Sequence, residues 1–212
     1  MTPKITITLK RRISLLVLTL ALAVSPVAAA QSQKSSANEG NVPANLPAAQ
    51  RAQRKLQWIA VNGERRQPNI TPTEMSEQEI NAYFAAGLVR LPKGVHQVRF
   101  SGDVGQVTAD TNVDFDEIKE GRGSANPLLM VFSGTHAVKV VATAQGRAGQ
   151  GTVHVQSVEI DGMEVPRMAL EFFVERYLTP KYPGVGLDST FALPDRIQTA
   201  VVGRHVLTIV QK

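Results

Sequence analysis

The sequence predicts an α+β fold: a long, curved antiparallel β-meander packed around two or three α-helices. Three observations predict it. Residues 95–116 read as two alternating runs joined at Gly102-Asp103-Val104-Gly105. Two more alternating runs, 135–144 and 151–161, follow with a glycine-rich loop between them. Around these strands lie stretches of helical periodicity, one of them opening on Ser76-Glu77-Gln78-Glu79.

The hairpin at 95–116 sets the register of the rest. Its first run carries His96, Val98 and Phe100 on one face. Its second carries Val107, Ala109, Thr111, Val113 and Phe115, against Thr108, Asp110, Asn112, Asp114 and Asp116 on the other. A four-residue loop pairs Phe100 with Val107, Val98 with Ala109 and His96 with Thr111, so both apolar faces land on one side. A one-residue slip would reverse them. The second arm is about eleven residues, roughly 37 Å at the usual strand rise. That is about twice the common strand length, so the arm is expected to curl around something apolar.

The chain of 212 residues opens with a segment that reads as a secretory signal peptide over 1–30. Lys4, Lys10, Arg11 and Arg12 precede an apolar run at 13–24, and Ala28-Ala29-Ala30 supplies an A-x-A cleavage site. Twelve apolar residues fall short of the roughly 20 that a spanning helix needs, so no transmembrane span is expected after cleavage. Arg11-Arg12 leaves twin-arginine export open beside the general route. The leader holds four of the 23 basic residues and none of the 18 acidic ones, leaving 19 against 18. The high isoelectric point is therefore mostly a targeting signal, and no nucleic-acid partner is expected. With no cysteine, the chain has no disulfide, thiolate metal site, thiol nucleophile or lipid-anchor residue.

Residues 31–46 are small and polar, a flexible tether. A single domain follows over 47–212, its core at 70–212. Ala49, Ala52, Leu56, Ile59 and Ala60 predict a helix over 47–61, stopping at Asn62-Gly63. After an extended stretch at 69–75, Ser76 caps a second helix that presents Ile80, Tyr83 and Phe84 and ends at Gly87. Between Val155 and Val158 the strand phase flips, which predicts a β-bulge near Gln156-Ser157. Asp161-Gly162 turns the chain back through 163–165. Pro166 opens a helix to about Leu178 with the stripe Ala169, Phe172, Phe173, Arg176 and Tyr177. Residues 179–194 read as an irregular loop, and 196–202 with 205–211 as a closing hairpin. Ile197, Val201, Val206 and Val210 share one of its faces; Ala200, Val202, Leu207 and Ile209 share the other. Two apolar faces imply that the hairpin is covered twice, or that one face lines a ligand tunnel.

Catalytic chemistry has no local signature. The four histidines, His96, His136, His154 and His205, lack metal-ligand spacing. Ser133-Gly134 lacks the frame of a nucleophile elbow, and Gly121-Arg122-Gly123 lacks the lysine and helix start of a phosphate loop. Asp110, Asp114, Asp116 and Glu117 form the best metal candidate, but a solvated strand face explains them as well. No enzyme activity, metal or cofactor is expected.

Thr73-Glu74-Met75-Ser76-Glu77-Gln78-Glu79-Ile80-Asn81 and Leu193-Pro194-Asp195-Arg196-Ile197, with the order of elements between them, carry a resemblance. Residues 70–212 resemble small exported bacterial proteins related to the tubular lipid-binding (TULIP) superfamily. That resemblance implies a curved sheet wrapping a helix, with acyl chains in the groove between them. The expectation is a monomeric, non-catalytic protein of the periplasm or extracellular space that binds a lipid or similar apolar molecule. Ile80, Tyr83, Phe84, Phe172, Phe173 and Tyr177 are the candidate contacts from the helices, and Val98, Phe100, Val113 and Phe115 from the sheet. For each, plain core is the alternative. The rival function is a cell-envelope scaffold or adaptor with a solid core and a protein partner.

Overall fold

The computed structural model describes residues 47–120, 127 and 130–212. The expected leader at 1–30, the tether at 31–46 and the loop residues 121–126 lie outside the described residues. The fold is α+β, with nine antiparallel strands in one sheet and four α-helices among the described residues. In chain order these are α1 (Ala48–Glu64), β1 (Thr73–Ser76), α2 (Glu77–Ala85), β2 (Val95–Asp103), β3 (Gln106–Asp114), α3 (Phe115–Lys119), β4 (Thr135–Arg147) and β5 (Gln150–Ile160). Then follow β6 (Met163–Glu164), α4 (Arg167–Phe173), β7 (Asp188–Ala192), β8 (Ile197–Gly203) and β9 (Val206–Gln211). A π-helical turn, Val174–Leu178, continues α4. No helix among the described residues is long and apolar enough to cross a membrane.

Strand β4 is the spine. Its 13 residues pair with β3 as far as Thr143 and with β5 along the other edge. Where β3 ends, β8 takes over: Gln145 faces Thr152 on one side and Val201 on the other. The sheet continues through β9 to β1, while β5 carries β6 and β7. The junction is tight, since a Cβ at Gly146 would lie 2.8 Å from the Ala200 side chain. Glycine is what lets the two halves of the sheet meet there.

Local signals act as expected at several points. Ser76 accepts from the Glu79 N–H while the Glu79 carboxylate accepts from the Ser76 N–H, a complete capping box. Buried Glu79 also takes Arg51 Nε at 3.0 Å and Lys55 Nζ at 2.8 Å, which fastens α1 to α2. Burial pushes the Glu79 carboxyl up, but Lys55, the Ser76 N–H and Arg51 together hold it below the usual range. The bulge in β5 falls at Gln156, which is left without a partner between Val155↔Ala142 and Ser157↔Val141.

Elsewhere tertiary structure overrides the local reading. The β2–β3 hairpin turns in two residues, Val104-Gly105, with Asp103 paired to Gln106 and Phe100 to Ala109 rather than Val107. The shift is two residues, so Phe100 keeps its side. Gly105, at φ 69°, and the Asp103 carboxylate, accepting from the Val104 N–H, stabilise the shorter turn. A bulge with Gln97 at φ 49° then brings Val95 and Val98 to the apolar side and turns His96 outward. The second arm is nine residues, ending where Asp114 becomes the N-cap of α3. Phe115 is therefore buried from a helix, and Asp114 and Asp116 no longer share a strand face.

Helix α1 runs through Asn62-Gly63 to Glu64. Asn62 is buried and donates to the Asn69 carbonyl and to Gln211 Oε1, while accepting from the Asn69 N–H. Strand β7 lies inside the stretch expected to be irregular, its five residues pairing with β5. The closing hairpin packs on the smaller cluster through one face, while Val206 and Val210 on the other are half-buried. A bulge at Gln198 swings Ile197 to the side of Ala200, Leu207 and Ile209, and Val201 on the opposite face stays exposed.

The apolar interior forms two clusters. The larger joins β3, β4, β5, α3 and α4 through Val113, Phe115, Phe132, Val140, Ile160, Phe173 and Tyr177. Phe132 stacks on Phe173 at 4.3 Å, and Phe115 meets both edge-on. The smaller packs α1 and α2 on β1, β8 and β9 through Ala52, Ile59, Met75, Tyr83, Ile197 and Ile209.

Candidate functional site

Strand β2 is an edge of the sheet, and α2 lies beside it. Asn81 Nδ2 donates to the Phe100 carbonyl and Asn81 Oδ1 accepts from the Phe100 N–H, at 2.7 and 2.8 Å. The Glu77 carboxylate accepts from the Gly102 N–H and from His205 Nδ1. The His205 bond holds the Glu77 carboxyl below its ordinary value despite partial burial. These contacts fix α2 as a wall along the β2 edge of the meander.

Between wall and sheet lies an open cleft of about 1110 Å³. Ala82, Phe84, Ala85 and Leu91 line the wall side, and Val98 also borders the cleft. The floor is polar, because Arg99, Asp110, Lys139 and Glu159 are outward-facing residues directly opposed across β2, β3, β4 and β5. Their charges alternate in sign across four strands, the arrangement that favours neighbouring strands. Lys139 lies 3.6 Å from Glu159. Gln97 and Asn112, hydrogen-bonded to each other at 3.1 Å, extend the floor.

Only part of the expected set comes together here. Phe84 and Val98 line the cleft, and buried Phe100 meets Phe84 edge-on at 5.0 Å. Ile80 and Tyr83, one turn of the same helix, point instead into the smaller cluster. Val113, Phe115, Phe173 and Tyr177 lie in the larger cluster, packed against protein. Phe172 is 43% exposed, because the buried side of α4 is set by Ala169, Leu170 and Phe173. The ten residues thus do not surround one trough. Arg99, Asp110, Lys139 and Glu159 were not among them: their alignment depends on the true register, and the two-residue shift had set Arg99 opposite Thr108.

Three histidines pair with acids through Nδ1: His136 with Asp161, His154 with Asp188, and His205 with Glu77. Arg167 joins the second pair, reaching Asp188 at 2.7 Å. In the first, His136 Nε2 also meets the Ser133 carbonyl at 2.6 Å. Both ring nitrogens therefore face acceptors, which favours imidazolium, and hydrogen bonding to Asp161 raises the His136 pKa. A ring held in this way has no free nitrogen with which to take a proton from the Ser133 hydroxyl, which bonds to the Met130 carbonyl. Among the described residues no group of three His, Asp or Glu side chains is placed to hold a metal ion. Asp116 pairs with Lys119 and accepts from the Gly134 N–H, and Asp114 caps α3. No protein-family model, no curated protein and no solved structure matches the chain, so its functional reading rests on its own residues.

Proposed function

We propose that the protein is an exported, non-catalytic binding protein that holds a lipid or similar amphipathic molecule in the cleft between α2 and the meander. The cleft is the observation that carries this reading. It sets an apolar wall against a charged floor, room suited to a ligand with one greasy and one polar end. The close stacking of Phe115, Phe132 and Phe173 supports a site outside the larger cluster rather than within it. The segment at 1–30 supports export, and a site between helix and sheet agrees with the TULIP resemblance of residues 70–212.

A second reading, an envelope adaptor with a protein partner, is favoured by Met168 and Phe172, exposed one turn apart on α4. Native mass spectrometry of protein purified from its host separates the two. A retained lipid mass, lost in Phe84→Asp at unchanged melting temperature, supports the cleft. Apo protein that arrives with a stoichiometric protein partner overturns the carrier reading in favour of the adaptor.

A further inference from the structure

Arg99 and Asp110 are directly opposed on neighbouring strands, both exposed at the cleft floor beneath α2. Opposite charges so placed attract each other modestly. Here they form no ion pair with each other or with another described residue. Lys139, next in the row, leans toward Glu159, and Glu77 on the wall is occupied by His205 and the Gly102 N–H. The floor thus presents one cation and one anion on neighbouring strands about 4.8 Å apart, both lining the cleft and not paired with each other.

We propose that this pair reads a zwitterionic headgroup, with the Arg99 guanidinium taking a phosphate and the Asp110 carboxylate taking the neighbouring ammonium. The inference rests on the cleft being the ligand site. A guanidinium presents a fork of donors matched to phosphate oxygens, and a two-carbon phosphoethanolamine link spans roughly one strand spacing. The apolar part of the ligand then lies along Ala82, Phe84, Ala85 and Leu91. An anionic headgroup lacking the ammonium would leave Asp110 facing it uncompensated, with Glu77 close by on the wall. A purely cationic one would meet Arg99 and Lys139. The alternation therefore selects against single-signed ligands as much as it favours the mixed one.

The test is calorimetric titration of the protein with short-chain diacyl lipids below their aggregation concentration, bearing phosphoethanolamine, phosphoglycerol or an uncharged glycerol headgroup. The phosphoethanolamine lipid is expected to bind about tenfold more tightly than the phosphoglycerol lipid. Asp110→Asn should abolish that preference without weakening the phosphoglycerol lipid, while Arg99→Gln should weaken both phospholipids. Both side chains are exposed, so melting temperatures should not move and serve as the folding control. Equal affinity for all three lipids, lost together in Phe84→Asp, overturns the headgroup inference and leaves the cleft in place. Binding of none of them overturns both.

Discussion

The carboxamide of Asn81 lies against the peptide of Phe100 as a neighbouring strand would, giving to its carbonyl and taking from its N–H within 2.8 Å. A helix residue thereby completes the hydrogen bonding of a sheet edge. Asn81→Ala leaves both Phe100 groups without their partner in a partly buried setting, at a cost of about 1–3 kcal/mol. It also uncovers strand edge able to pair with another molecule. The expected outcome is a lower denaturation midpoint together with concentration-dependent association by size-exclusion chromatography. A variant as stable and as monodisperse as the parent would show that α2 holds its place by apolar contacts alone.

The end of α1 makes a sharper case. A Cβ on Gly63 would lie 2.4 Å from the Asp195 carbonyl oxygen, a backbone atom that cannot swing aside. That same carbonyl accepts from Gln211 Nε2, whose carboxamide oxygen accepts from buried Asn62. Gly63→Ala must therefore push α1 away from the Asp195 turn, an overpacking strain of about 1–3 kcal/mol. Asn62→Ala should cost at least as much, since it strands the Asn69 N–H and carbonyl and Gln211 Oε1. Urea melts of the two single variants and the double variant measure this. Because both act on one docking contact, their effects should sum to less than additive.

Those contacts mark where the sequence could be read and where it could not. The capping box at Ser76, the Asp161-Gly162 turn and the Gln156 bulge all rest on residues within a few positions of one another. Local pattern was enough for them. Asn62-Gly63 carries the same kind of local stop signal, yet the helix continues, because a partner 149 residues away satisfies Asn62. The β2–β3 register failed for a related reason. Either turn length keeps Phe100 on the apolar side, so alternation alone could not choose between them. The charged floor of the cleft needed that register correct across four strands, which put it beyond reach, whereas Phe84 and Val98 were legible as apolar residues on elements that border the cleft.

Tyr177 is buried in the larger cluster, 5.3 Å from Phe173, and its hydroxyl has no hydrogen-bond partner among the described residues. An orphaned buried hydroxyl costs more than it returns. Tyr177→Phe keeps the ring and removes the unpaired group, so it should stabilise the fold by about 1 kcal/mol. Phe173→Ala, which opens a hole between Phe115, Phe132 and Tyr177, should cost about 3–5 kcal/mol. Thermal melts of both variants check the pair. A Tyr177→Phe protein less stable than its parent would mean that the hydroxyl is bonded in solution.

The His136–Asp161 contact links β4 to the β5–β6 turn and sets a pH dependence whose sign can be worked out. Hydrogen bonding to Asp161, reinforced by the Ser133 carbonyl, raises the His136 pKa in the folded protein. Its stabilising contribution is fully present below the unfolded histidine value of about 6.5 and is lost as pH rises through the folded value. The Asp161 carboxyl is lowered, first by its bond from His136 and then by the Ala137 N–H. Its contribution is present above the unfolded carboxylate value of about 3.9 and is lost as pH falls through the folded value. The contact is therefore fully made between those two unfolded values and loosens on either side. An NMR titration of the His136 ring protons should show a midpoint above the ordinary histidine value, and Asp161→Asn should bring it back down. Asp161 is exposed and His136 partly so, so the effect on the midpoint should be plain while the effect on global stability stays small. A parent midpoint at or below the ordinary value would mean that the ring is neutral at rest, with one nitrogen free to accept a proton.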